Sequence, residues 1–289
     1  MSLERHPCFF EERPVKMIKI SVVMGVYNEK NQDQFKEAVQ SILTQDIDGI
    51  ELLLCDDGSD EEATIILRDI AKMDSRIRIL RQEHRGLGAA LNMGINHAEG
   101  KYIARMDADD ISTGGRLRKQ YKFLEENLQY DWVGCCAAVF DGSGVWGHRK
   151  MPQIPRNTDF YKCSPYIHPG VMFRKEVFEQ CGCYMVSGIT ARCEDYELFM
   201  RFHSMNRQGY NLQEELLYYR EGKDAYRKRK YRYRIRECII RYKGFKMLQI
   251  NQDKGKYYIF KPLFVGLCPG MLTRFLRERS GNAAGGYDG

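Results

Sequence analysis

The stretch Lys101-Tyr102-Ile103-Ala104-Arg105-Met106-Asp107-Ala108-Asp109-Asp110 reads as a strand that runs into three carboxylates within four positions. Two earlier segments have the same form. Residues 18–26 are a β-branched run closing on Gly25-Val26-Tyr27-Asn28-Glu29, and residues 51–55 are a short apolar run followed by Asp56-Asp57-Gly58-Ser59-Asp60. Between them the period changes. Phe35, Ala38, Val39, Ile42 and Leu43 fall at helical spacing within residues 34–45; residues 60–73 and 88–98 also read as helices, and residues 76–80 as a strand. This alternation predicts βαβ units, and so an α/β fold with a Rossmann-like, mostly parallel central sheet flanked by helices. In open sheets of that kind ligands bind beyond the carboxyl ends of the strands, which puts the three polar clusters in one crevice.

Past Asp110 the pattern loosens. A helix is expected over residues 116–127, a strand over 131–140, a Gly-rich hairpin turn over 141–147 and a strand over 171–173. A helix at 193–205 and a last strand at 216–219 follow. There is no internal repeat.

Composition sets the broad class. The chain has 289 residues, 43% hydrophobic and 29% charged, which suits a globular protein with a sizeable core and argues against global disorder. Its net charge of +6 is unevenly spread. Residues 1–222 carry 28 basic and 34 acidic side chains, a net of −6, whereas residues 223–289 carry 17 and 5, a net of +12. The reading is an N-terminal extension (1–17), an acidic body (18–222) and a basic tail (223–289). The ten cysteines show no paired C-x-x-C spacing, and several sit in apolar runs, so they are expected to be reduced thiols in a cytosolic setting. The first residues lack an apolar signal core, and the best apolar stretch, 257–272, is short and broken by Lys261, Pro262 and Pro269.

Each polar cluster has a chemical and a plain structural reading. Asp107, Asp109 and Asp110 repel one another at a strand end, and a hard divalent cation, Mn²⁺ or Mg²⁺, relieves that repulsion together with substrate phosphates. The plain reading is a solvated acidic turn. Asp57 could accept a hydrogen bond from a nucleobase N–H, while Ser59 or Asp60 caps the next helix. Gly25 allows close backbone approach, and Tyr27 offers a flat face to a base; the alternative is a turn with a core-facing Tyr. His84-Arg85-Gly86-Leu87-Gly88 opens a helix whose backbone N–H groups could meet phosphate. Asp195, preceded by Glu194, is the candidate general base, although Glu194, Glu197 and Arg201 could equally form surface pairs of a helix. His168 is either a structural histidine or a contact on the acceptor or diphosphate side.

In this order the motifs resemble the family 2 glycosyltransferases, which have the GT-A fold. The resemblance runs over about residues 18–220. It rests on Ser21–Glu29, Asp56-Asp57-Gly58-Ser59, Asn92 with Gly94, Gly100–Ile103, Asp107-Ala108-Asp109-Asp110, His168-Pro169, Gly182 with Tyr184, and Glu194-Asp195. It implies donor contacts from Gly25, Val26, Tyr27, Glu29, Asp57, Arg85, Gly86, Asn92, Asp107 and Ala108. It also implies a D-x-D metal site at Asp107 and Asp109, with Asp109 the direct ligand, and Asp195 as base of an inverting single displacement. His168 and Glu194 are expected on the acceptor side. Processive relatives carry Q-x-x-R-W after the catalytic Asp. Here the only tryptophans, Trp132 and Trp146, precede Asp195, which favours a non-processive enzyme.

The expected function is therefore transfer of a sugar from a nucleotide-sugar donor, a UDP-sugar by family likeness, to an acceptor hydroxyl in bacterial surface polysaccharide or glycolipid synthesis. A nucleotidyltransferase would need a Gly-rich basic signature at the first strand, and residues 25–29 contain no Lys or Arg. A nucleotide-sugar-binding protein without turnover is the other alternative. Between Lys223 and Lys246, eleven basic residues interleave with Tyr226, Tyr231, Tyr233, Ile235, Ile239, Ile240 and Tyr242. This pattern predicts an interfacial helix on anionic membrane, bringing the enzyme to a glycan or lipid-linked acceptor at the inner face of the cell membrane. Single-stranded nucleic acid is a disfavoured partner, and a basic helix packed on the acidic body is the remaining reading. The last ten residues, 280–289, are Gly-rich and expected to be unstructured.

Overall fold

The computed structural model describes residues 17–221, 231–250 and 252–267. The expected N-terminal extension (except Met17), the start of the tail at 223–230 and the Gly-rich end lie outside the described residues.

Seven-residue runs with no exposed position make the first two strands, β1 (Ile20–Val26) and β2 (Ile50–Asp56). They pair in parallel with each other and with β3 (Ile77–Arg81) and β4 (Tyr102–Asp107), in the order β3-β2-β1-β4. The connections are α1 (Gln32–Leu43), α2 (Glu61–Ala71) and α3 (Leu87–His97). Alternate strand residues serve opposite faces, as the pleat requires. Val23, Leu53, Cys55 and Ile103 join one core, while Ile20, Val22, Met24, Leu52, Leu54, Tyr102 and Met106 join the other with α1, α2 and α4 (Arg116–Glu126). Asp60 caps α2 through Ala63 N at 3.0 Å, the plain part of the reading made for that cluster. Ser59 is not the cap; its Oγ accepts from Asn28 N and clasps the β1 and β2 loops together.

The sheet then becomes mixed. A two-residue strand, β5 (Ile111–Ser112), follows the acidic cluster. β6 (Trp132–Asp141) and β7 (Gly144–Arg149) form a hairpin whose turn is tighter than the expected 141–147, residues 144–147 being strand, and β8 (Met172–Arg174) runs antiparallel to both β4 and β6. The last strand, β9 (Gly209–Arg220), is three times the length expected. Its pairing with β6 slips at Cys135/Cys136 and Cys136/Ala137. Such bulges break the period-2 pattern, so the polar first half reads as loop in the sequence. A short helix, α5 (Lys175–Cys181), was not anticipated; α6 (Glu194–Ser204) falls where expected.

The basic segment is two helices, α7 (Tyr231–Met247) and α8 (Gln252–Leu267), packed as a pair. The sequence suggested one apolar and one basic face. Instead α7 buries Glu237, Arg241 and Phe245, and turns Arg234 towards the Pro262 carbonyl of α8. The Arg241 guanidinium pairs with Glu237 at 2.8 Å and donates to the carbonyls of Tyr161 (2.8 Å) and Lys162 (3.1 Å). It also lies over the ring of Tyr196 on α6. With these groups buried together, removing one partner leaves an uncompensated charge. Arg241→Ala should therefore lower unfolding stability by about 3–5 kcal/mol, read by urea denaturation, whereas a similar loss at exposed Lys243 is not expected.

Candidate active site

Strand register sets the site. Gly25 lies level with Cys55 on one side and Asp107 on the other, and Val26 lies level with Asp56. The three polar clusters therefore leave the sheet side by side, at the strand spacing of about 4.8 Å.

In the β2 cluster, Asp56 is buried and accepts from Ser59 N (2.9 Å) and Arg81 Nη1 (2.7 Å). Asp57 accepts from Gln82 Nε2 (2.7 Å), Arg85 N (2.9 Å) and Gly86 N (2.8 Å), with His84 Nδ1 at 2.8 Å. Oδ1 already accepts two hydrogen bonds and Oδ2 one, with the His84 ring beside Oδ2, so a base N–H would reach Asp57 at Oδ2, next to His84. Two expected roles change as a result. The N–H groups of Arg85 and Gly86 are spent on Asp57 rather than open to phosphate, although the Arg85 side chain is exposed. Tyr27, half exposed, stacks on His84 with centroids 4.1 Å apart, so the flat face expected for a base carries an imidazole.

Other donor candidates have structural tasks. A Cβ at Gly25 would stand 2.6 Å from Leu87 Cδ1, so this glycine serves the packing of α3. Val26 and Ala108 bury their side chains in the core, leaving only backbone for a ligand. Glu29 accepts from Asn31 N at 2.8 Å. Asn92 is committed in both directions to Tyr184, accepting from its N–H and donating to its carbonyl, each at 2.8 Å.

The acidic cluster is crowded. Asp107, Asp109 and Asp110 have oxygens within 4.8 Å of one another. Burial, reinforced by Asp107, pushes the Asp109 carboxyl up to about 6, and burial with both neighbouring charges pushes Asp110 well above the usual range. Arg220, at the end of β9, supports the turn: its N–H donates to Asp110 Oδ1 and its Nε to the Asp109 carbonyl, both at 2.7 Å. Asp110 Oδ2 is buried with no hydrogen-bond partner among the described residues. Converging hard oxygens, an orphaned buried one and unrelieved repulsion are the donor set that a divalent cation fits.

Sequence reasoning missed Arg105. It is 3% exposed and ion-paired with Asp107. The signal was available: a lone charge inside an apolar strand, two residues from Asp107 and so on the same face. Its charge also reaches Asp109, Asp110, His168, Tyr184, Glu194 and Asp195. The acidic cluster and the second half of the site thus both lie within reach of this charge.

That second half is built on α6. Asp195 stands in its first turn, where backbone N–H groups favour a carboxylate, yet it is buried. Burial, with the Glu194 charge next, raises its pKa to about 6. Glu194 is raised too, chiefly by burial, and packs near Gly88 at the start of α3. His168, in a 3₁₀ turn (His168–Gly170), pairs with Tyr184 Oη at 2.6 Å. Burial, with Arg105 next, holds its pKa well below the usual range. A small cavity beside Asp195, about 10 Å³ and so no larger than one water needs, is lined by Cys193, Tyr196, Glu237 and Arg241, so α7 reaches the back of the site.

A mixed α/β sheet whose parallel strands end in a carboxylate cluster is the arrangement expected of a GT-A glycosyltransferase. The comparisons agree. Residues 21–182 match the family model Glycosyl transferase family 2, and the chain belongs to that family. It is 36% identical over 264 residues to EpsE of Bacillus subtilis (strain 168), a glycosyltransferase by name, covering 90% of this chain and 94% of EpsE. It is 26% identical over 265 residues to the amylovoran biosynthesis glycosyltransferase AmsE of Erwinia amylovora, covering 90% and 98%. The fold matches S. aureus TarS 1–349 in complex with UDP-GlcNAc, at TM-score 0.65 and 16% identity, covering 90% of this chain and 79% of that one. It also matches the mannosyltransferase PcManGT of Pyrobaculum calidifontis in complex with GDP-Man and Mn²⁺, at TM-score 0.60 and 18% identity, covering 93% and 77%.

The raised pKa of Asp195 has a consequence for stability. Its folded value lies above the unfolded one, so its contribution is full below about pH 4 and is lost as pH rises through about 6. Asp195→Asn should therefore unfold at higher urea than the parent at pH 8, by on the order of 2–3 kcal/mol, with the gap closing towards pH 4.

Proposed function

We propose that this glycosyltransferase moves a sugar from a UDP-sugar to an acceptor hydroxyl by inverting single displacement, one sugar per encounter, in bacterial surface polysaccharide or glycolipid synthesis. What supports this reading is the crowding of Asp107, Asp109 and Asp110 at the end of β4, with Arg105 paired to Asp107 and its charge reaching buried Asp195 as well. The printed ligands of TarS and PcManGT support a nucleotide-sugar donor, and the name of AmsE supports polysaccharide synthesis.

Asp195, buried and basic enough to be poised near neutrality, takes the proton of the acceptor hydroxyl as its oxygen attacks the anomeric carbon. The bond from that carbon to the diphosphate oxygen breaks on the opposite face. Asp109, with Asp107, would hold Mn²⁺ or Mg²⁺, which when bound supplies charge neutralisation for the departing diphosphate. Arg105 keeps the carboxylates together and adds positive charge beneath the diphosphate. Tyr27, with His84 displaced or sandwiching the base, orients the nucleotide.

The acceptor is a glycan or lipid-linked glycan at the cytoplasmic face of the cell membrane, and the enzyme is peripheral there. No helix among the described residues is long and apolar enough to cross a membrane.

Two measurements test this. In a panel of UDP- and GDP-sugars, hydrolysis should need Mn²⁺ or Mg²⁺, prefer one UDP-sugar and fall by at least a hundredfold in Asp109→Asn; hydrolysis unchanged by chelator would overturn the metal role. As base, Asp195 must be ionised, so transfer should fall tenfold per unit below about pH 6 and drop about 10²–10⁴-fold in Asp195→Asn. Transfer intact in that variant excludes Asp195 as the base.

A further inference from the structure

Each helix of the α7–α8 pair has a buried side and an exposed one. The buried side of α7 is already used: Arg241, Glu237 and Phe245 are buried, and Gly244 lets α7 lie directly on Met200 of α6. Outward, α7 presents Tyr231, Ile235, Ile239 and Tyr242, whose spacing of four, four and three makes one stripe. On α8, Tyr257, Phe260 and Phe264 do the same at spacings of three and four, and are 64%, 51% and 62% exposed. Large apolar side chains that exposed, in two stripes on one helical pair, are not core packing.

The exposed charges among the described side chains of the two helices are of one sign. Arg232, Lys243 and Lys246 on α7 and Lys254 and Lys256 on α8 are exposed, and Lys261 is half-buried. Among the described side chains of these helices the exposed charges are all basic, and the acidic Glu237 faces inward. On α8 the helical turn puts Lys256 on one side of the aromatic stripe and Lys254 and Lys261 on the other.

We propose that this outer face docks on a bilayer rich in anionic lipid. Aromatic rings suit the boundary between headgroups and acyl chains, and flanking lysines bury their stems while their ammonium groups reach the phosphates. The face differs from that expected from the sequence. Ile240, Arg234 and Arg241 are buried, and the most exposed aromatics come from α8. The proposal deepens, and rests on, the reading that the acceptor is presented at a membrane. It also gives that reading an orientation: α7, about 10–12 Å across, is the layer between the lipid and the helix that carries Asp195.

Flotation of the full chain with vesicles of phosphatidylglycerol and phosphatidylcholine in equal parts, against phosphatidylcholine alone, reads the docking directly. The parent should float with the anionic vesicles and be released by salt. Phe260→Ser with Phe264→Ser should lower partitioning at least tenfold, and Arg232→Glu with Lys243→Glu by about fivefold or more per residue. All these variants should retain the parent's hydrolysis of a nucleotide sugar, which reports folding and the transfer reading separately. A parent that floats without hydrolysing any sugar nucleotide would sink the transfer reading and leave the docking intact. Absence of flotation by the parent, equal flotation by parent and variants, or conversion of a dimer to a monomer by the Phe260 and Phe264 substitutions would overturn the proposal, the last by assigning the face to a second copy of the chain.

Discussion

Arg105 is a guanidinium buried at the carboxyl edge of the sheet, and the site is organised around it. Asp107 is ion-paired to it, Asp109 and Asp110 feel its charge from the same turn, and Glu194 and Asp195 feel it from α6. Several carboxylates brought this close would otherwise protonate or push the strand end apart. One buried cation relieves part of that repulsion, while burial first and neighbouring carboxylates second still hold Asp109, Asp110 and Asp195 above their usual range.

The same economy of burial explains the other partners. Asp57 ties the 82–86 loop to β2, and Asn92 ties α3 to Tyr184, which in turn orients His168. These residues shape the walls of the crevice. The basic C-terminal helices belong to the same scheme, because Arg241 anchors α7 to the residue next to Asp195. They are part of the body as well as a surface of their own.

The parallel half of the fold was legible because each strand there is short, apolar and followed by a helix of clear period. The site clusters were legible for the related reason that they stand at the ends of those strands. What could not be read depends on distant pairing. Arg220 supports the acidic turn from 110 positions away, and β9 hides behind two bulges. Arg105 was visible as a charge in a strand, but only the fold shows how many carboxylates it faces. The burial of Arg234 and Arg241 was invisible because α7 carries apolar residues on both faces, so periodicity alone could not choose between them.

The most direct test is crystallographic. Crystals grown with Mn²⁺ and UDP should give an anomalous manganese peak in contact with Asp109 and the diphosphate, on the side of Arg105 that faces Asp195. A peak bound away from the Asp107–Asp110 turn, or a diphosphate lodged on another face of the sheet, would contradict the account.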